Sequence, residues 1–188
     1  MSAERREDIV RAALELLEED GAEALTMRRL ADRLGVKAPS LYKHLAGKEE
    51  LEGALMAVGL EQVGSVIAEA ARSGEDPLTA IAAAYRRFAL AHPHLYRLLT
   101  ERPLLRERLP EGLEARAAAP LVRAAGDPDR ARAAWAFAHG MVHLELSGRF
   151  PPDADLDAAW RSGLAALAGA PTTTPPARAV VRSWRGPD

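Results

Sequence analysis

TMRRLADRLGVKAPSLYKHLAGKEEL, residues 26–51, reads as two short helices around a glycine turn. Thr26 can cap the first by accepting a hydrogen bond from a backbone N–H, and Met27, Leu30, Ala31 and Leu34 give it an apolar stripe. Gly35 ends it after about two turns. Val36 and Lys37 complete the turn, and Pro39 sits where a first-turn proline costs nothing because its missing N–H would have no helical partner. A third helix is expected from Ser40 to Leu45. Two short helices joined by a tight turn with glycine form a helix-turn-helix, whose second helix enters the major groove of DNA.

The chain on either side continues in the same style. From Ala3 to Glu19, the apolar residues Ile9, Ala12, Ala13, Leu16 and Leu17 recur at helical spacing, and Asp20-Gly21 ends that helix. Ala46-Gly47 breaks the chain after the third helix. Lys48 to Ala71 resumes the period with Leu51, Leu55, Val58, Val63 and Ile67. Prolines and glycines then punctuate expected helices at 77–91, 93–99, 103–124, 128–147 and 154–168. No stretch alternates with period two, so the fold class is all-α. The expected organisation is a three-helix head over residues 1–48, a helical body over 49–170 and a flexible tail over 171–188, where only Val180, Val181 and Trp184 offer apolar anchors.

The net charge is only −2, yet residues 26–48 carry Arg28, Arg29, Arg33, Lys37, Lys43 and Lys48 against Asp32 alone. Such a local excess suits phosphate neutralisation, although a solvated helix face has the same composition. Ala38, Pro39 and Ser40 supply the small surface that backbone needs to approach a groove. Tyr42 offers a hydroxyl to phosphate and a ring to sugar or a thymine methyl, and His44 and Lys48 suit phosphate contact. Thr26 and Arg28 can hold the adjacent strand. With so few long donors on the third helix, Arg28, Lys37 and Lys43 become the candidate readers of guanine.

The same stretch, with Leu41-Tyr42-Lys43-His44 and Lys48 following Gly35-Val36, resembles the N-terminal domain of the tetracycline-repressor-like (TetR/AcrR) regulators over residues 5–60. That family often has Phe after the histidine; Leu45 stands here and keeps the core contact. The resemblance implies a dimeric, one-component transcription regulator, commonly a repressor, that binds double-stranded operator DNA. Its C-terminal helices dimerise and enclose an inducer, and inducer and DNA oppose one another through a population shift. AWAFAHGMVHLELSGRF, residues 134–150, resembles a C-terminal subtype with a Trp, His and Gly signature, met here by Trp135, His139 and Gly140 at looser spacing.

Within the body, Gly140 interrupts a helix rich in Ala and Leu, at a cost of about 1 kcal/mol, which points to close approach by another backbone. Gly163, with Ala159, Ala166 and Leu167, gives a second small-residue surface. The two together can make a four-helix dimer seam, or can pack inside one subunit. Tyr85, Phe88, Tyr96, Trp135, Phe137 and Met141 gather the aromatic and flexible apolar surface of the middle helices. With His139, they are the candidate lining for an apolar or amphipathic effector, structural core being the alternative for each.

Other classes fit less well. With no cysteine in the chain, disulfide scaffolds, thiolate zinc sites and cysteine nucleophiles are excluded, and no phosphate loop, nucleophile elbow or paired catalytic carboxylate appears. The N-terminal stretch lacks the apolar segment of a secretory signal, and no uninterrupted apolar run is long enough for a membrane span. The expectation is a soluble, cytoplasmic protein that is not an enzyme and needs no cofactor. Two rival readings remain. His139 and His143 share a helical face near Glu145, with His92 and His94 elsewhere, a pattern compatible with a metal-responsive regulator; the other is an all-helical protein-binding scaffold.

Overall fold

A computed structural model describes residues 2–74 and 76–169. Among these residues nine α-helices follow one another with no strand: α1 Ser2–Asp20, α2 Met27–Arg33, α3 Ala38–Leu41, α4 Lys48–Ala70, α5 Pro77–Ala91, α6 Pro93–Thr100, α7 Leu113–Ala125, α8 Pro128–Leu146 and α9 Leu156–Gly169. The expected tail, with its anchors at Val180, Val181 and Trp184, lies outside the described residues.

Local chemistry sets most boundaries. Gly21 adopts φ +79° and donates its N–H to the Leu17 carbonyl at 2.8 Å, closing α1 in the left-handed conformation that glycine takes without steric cost. Asp76 caps α5 through the Thr79 amide, and Asp127 caps α8 through the Asp129 and Arg130 amides. In both helices the cap is followed by proline at the first position.

One apolar core runs through the head and on into the body. Ile9, Ala13, Leu16 and Leu17 of α1 meet Leu30 of α2 and Leu41 of α3, and the same cluster takes in Leu51 and Leu55 of α4, Phe88 of α5 and Leu95 and Leu98 of α6. Helix α4 is therefore surrounded, with α1 at one end and α5, α6 and α7 along its length. Burial on several sides explains why α4, alone among the described residues' helices, is long and apolar enough to cross a membrane by length and composition, with half of that stretch buried. At Gly64 a Cβ would stand 3.0 Å from the Ala117 Cα, so the missing side chain lets α4 and α7 meet backbone to backbone.

A second core joins α5 and α6 to α8 and α9 through Leu78, Ala82, Tyr96, Ala138, Val142, Trp160 and Leu164. Polar bonds reinforce it. Arg86 of α5 reaches Glu145 of α8 at 3.0 Å and Asp157 of α9 at 2.6 Å, while the Trp160 indole N–H donates to Glu145 at 2.6 Å. The guanidinium also lies 5.6 Å from the Trp160 ring centre, a cation–π distance.

Several expectations need correction. The helix expected over 103–124 begins only at Leu113. Residues 103–112 instead hold one 3-10 turn at Arg106–Arg108, an extended Leu109 ahead of Pro110, and Gly112 at φ +70°. Proline disfavours helical backbone in the residue before it, and that local preference overrides the apolar spacing of Leu104, Leu105 and Leu109. Pro120 lies inside α7. The third helix starts at Ala38, two residues earlier than expected, and passes into turns after Leu41, with the Leu45 amide still bonded to the Leu41 carbonyl at 3.0 Å.

The two singled-out glycines separate. A Cβ on Gly163 would stand 2.2 Å from the Phe137 ring, so this glycine serves packing of α9 on α8 within the subunit. At Gly140, by contrast, no other atom of the described residues beyond the backbone of its own helix stands within 4 Å of the Cβ position.

Candidate nucleic-acid interface

The head presents one polar end. Thr26 accepts the Arg29 amide at 3.2 Å, fixing the start of α2. The turn Leu34-Gly35-Val36 holds φ +63° at Gly35, which glycine alone adopts freely. This turn sets α3 across α2, with Leu41 and Leu45 buried beneath. What remains outside is the expected surface: Thr26, Arg28, Lys37, Pro39, Ser40, Tyr42, Lys43 and Lys48 are exposed, and Ala38 and His44 are half-buried. Tyr42 is 53% exposed, so its ring contributes little to the core. His44 turns Nδ1 inward, where it is buried without a hydrogen bond.

The structure refines the charge pattern. Arg33 is held by Glu19 at 2.6 Å and by Glu15 at 3.3 Å, and Arg29 pairs with Asp20, all of these carboxylates lying on α1. The Arg33 bond draws the Glu19 carboxyl below its ordinary range. Lys48 lies 3.8 Å from Glu52. Arg28, Lys37 and Lys43 enter no ion pair among the described residues. Two of the six cations counted from sequence are thus neutralised by the first helix, and those left unpaired are the three candidate base readers. The pairing joins residues 9 to 18 positions apart, which a charge count along 26–48 does not register.

In the body the structure brings some of the expected effector residues together. Tyr96 is buried and its hydroxyl lies 2.7 Å from His139 Nδ1. Burial, with His143 nearby, holds the His139 imidazole below its ordinary range, and the Tyr96 hydroxyl also donates to the His139 carbonyl at 3.3 Å. Tyr85 meets Tyr96 edge to face at 6.1 Å, its hydroxyl buried without a hydrogen bond; burial raises both phenols above the usual tyrosine range. Trp135 stacks 6.2 Å from His139 and is 52% exposed. Met141 packs against the same core, as does Phe137, whose ring stacks edge to face on Trp160. Phe88 belongs elsewhere: it lies in the core shared with the head, beside His92. Helical spacing cannot tell which of two adjoining cores a buried aromatic enters.

The histidines also divide. His139 and His143 lie 6.1 Å apart, ring to ring. His92 and His94 line a separate cleft of about 450 Å³ with Glu15, Glu18 and Gln62, between α1, α4 and the α5–α6 junction. Among the described residues no three His, Cys, Asp or Glu side chains are placed to hold a metal ion.

Comparisons with known proteins decide the family. The model for bacterial regulatory proteins, tetR family, matches residues 9–55, and that for a tetracyclin repressor-like C-terminal domain matches residues 78–167. The HTH-type transcriptional regulator Rv0681 of Mycobacterium tuberculosis, itself uncharacterized, is 34% identical over 175 residues, covering 87% of this chain and 79% of that protein. The chain belongs to the tetR family. It is thus a helix-turn-helix transcription regulator, and its relatives are regulators, not enzymes. This tetR-family chain is also 53% identical to the class C tetracycline repressor of Escherichia coli over 55 residues, 29% of this chain and 25% of the repressor. Among solved structures, the multidrug binding protein EbrR complexed with imidazole superposes with a TM-score of 0.68 at 26% identity, covering 90% of this chain and 93% of that one.

Proposed function

We propose that the protein is a cytoplasmic repressor that binds a pseudopalindromic operator as a homodimer and is released by a small apolar or amphipathic effector. In this reading residues 1–48 are the DNA-binding head and residues 49–170 the dimerisation and effector-binding body. The observation that carries it is the end of the head: Arg28, Lys37, Tyr42 and Lys43 are exposed together, while the cations beside them are tied back to α1. A surface with fixed and spare positive charge is what phosphate positioning and base reading require.

The outer face of α8 supports the dimer. Ala133, Ala136 and Leu144 are exposed on one face there, around the open Cβ position of Gly140. On α9, Ala159, Ser162 and Ala166 are exposed. A second copy laid on these small and apolar positions makes a four-helix seam and sets two heads about one DNA turn apart. For the effector, the supporting feature is Tyr85, Tyr96, Trp135 and His139 in one aromatic run with hydroxyl and imidazole groups, apolar walls with few polar points. EbrR, whose structure holds imidazole, is a precedent for a small aromatic ligand in a similar fold.

Selection of bound sequences from a random duplex pool tests the operator. An enriched inverted repeat supports the reading, and a pool that stays random after several rounds counts against it. Addition of small aromatic compounds to the selected complex then tests release.

A further inference from the structure

Helix α6 is capped by a residue of the head. The first residue of α6 is proline, which has no N–H, and the preceding His92 makes no side-chain cap. The Leu95 amide donates instead to Glu18 Oε1 at 3.0 Å, a carboxylate from the last turn of α1 and 77 residues away in sequence. His92 Nδ1 lies 4.0 Å from the same oxygen. Just past the other end of α6, Arg102 reaches back to Glu23 in the α1–α2 loop at 3.0 Å and to Glu52 of α4 at 2.8 Å. Glu52, within the body, is only 12% exposed, whereas Glu23, the partner that crosses to the head, is 95% exposed. The cleft with Glu15, Gln62 and His94 opens beside Glu18, so α1 lacks close packing on that flank.

From this geometry we propose that Glu18, with the weaker solvent-exposed tie of Arg102 to Glu23, forms a latch that fixes the inclination of the DNA-binding head on the body, with Glu18 as its positioning residue. Apolar contact between α1 and α6 is non-directional and tolerates a small rotation into the cleft. A charge-assisted bond to one backbone amide does not. Because α6 also carries Tyr96, one residue beyond the capped amide, movement of α6 changes the latch directly. The inference rests on the DNA-binding reading for its operator readout alone.

The test uses full-length Glu18→Ala, Arg102→Ala, their double variant and Glu18→Gln, whose amide oxygen still accepts a hydrogen bond. Duplexes carry the selected inverted repeat with its half-site spacing changed by one base pair. Wild type is expected to lose about tenfold in affinity on that change, the scale of one charge-assisted contact, Glu18→Gln to lose less because its neutral amide oxygen makes a weaker bond, and the double variant to discriminate least. A purely stabilising cap would shift melting temperature but leave the spacing profile unchanged.

A second readout needs no DNA. The chain has no cysteine, so spin labels at Asp32→Cys and Arg123→Cys, in subunits diluted with unlabelled protein, report the head-to-body distance. A broader distribution in Glu18→Ala than in wild type and Glu18→Gln is expected. Equal widths and equal spacing profiles in all variants overturn the latch. If wild type binds no duplex, the DNA-binding reading fails, and the spin-label widths still decide the latch.

Discussion

His139 joins the hydrogen-bonding and titration behaviour of the body in one side chain. Its imidazole is held below the ordinary histidine range by burial and by His143, and its Nδ1 is hydrogen-bonded to the Tyr96 hydroxyl. In the unfolded chain the same ring takes up a proton at pH of about 6.5. Between that value and the lower folded one, the unfolded state binds more protons, so stability present above the window is lost as pH falls through it. Thermal melts from pH of about 7.5 down to about 5.5 should show a steeper fall for wild type than for His139→Phe. Parallel slopes would show that His139 titrates alike in both states.

The neighbouring phenols follow the same physics with no consequence near neutrality, since burial moves both of them upward, away from the working range. At this scale the sequence was informative where chemistry is local. Thr26, Gly35 and Pro39 each act on their own or the next few amides, and each lies where its residue type implied. Glu18 and Arg29 act through partners 77 and 9 residues away, and nothing in their immediate sequence marks those bonds.

Among the elements, α5, α8 and α9 are joined by a single buried carboxylate. Glu145 is 7% exposed and bonds both Arg86 and the Trp160 indole. Glu145→Ala leaves the indole N–H without its acceptor and Arg86 with Asp157 alone. The expected loss is about 2 kcal/mol, below the full cost of breaking a buried pair because Arg86 keeps a partner and some water. Urea unfolding measures it, and a midpoint equal to wild type would remove Glu145 from the account of how these helices hold together.

Helix boundaries show the same division between local and non-local causes. Helix α5 spans the expected residues because Asp76 and Pro77 define its start within two positions. The start of α7 escaped the apolar period because Leu104, Leu105 and Leu109 mimic a helical stripe while packing from an irregular segment onto the head core. The aromatic residues of the body were legible as a set, but their division between two cores was not. Phe88 and Tyr96 point into different clusters, and the choice is made by how α5 and α6 cross the rest of the fold.

At the scale of the whole molecule, the proposed dimer assigns a role to Leu144, which is 39% exposed on α8 one turn from Gly140 and on the same face as Ala133 and Ala136. Large apolar side chains exposed amid small ones are what an interface core provides before association. Leu144→Glu should shift sedimentation toward a monomer and weaken operator binding, since one head alone reads too few base pairs. Sedimentation of the variant as a dimer would move the interface away from this face of α8.

The central claim concerns the head, and fluorescence anisotropy on a duplex from the DNA flanking the protein's own gene tests it most directly, read across a salt series for wild type and Tyr42→Ala. Because Tyr42 is exposed, the substitution should leave the circular dichroism spectrum unchanged. The account predicts that wild-type affinity falls steeply with salt, as phosphate neutralisation by Arg28, Lys37 and Lys43 requires. Tyr42→Ala should weaken binding by about 1 to 3 kcal/mol. Salt-independent binding, or equal affinity for the folded variant and the wild type, would contradict the placement of this surface on DNA.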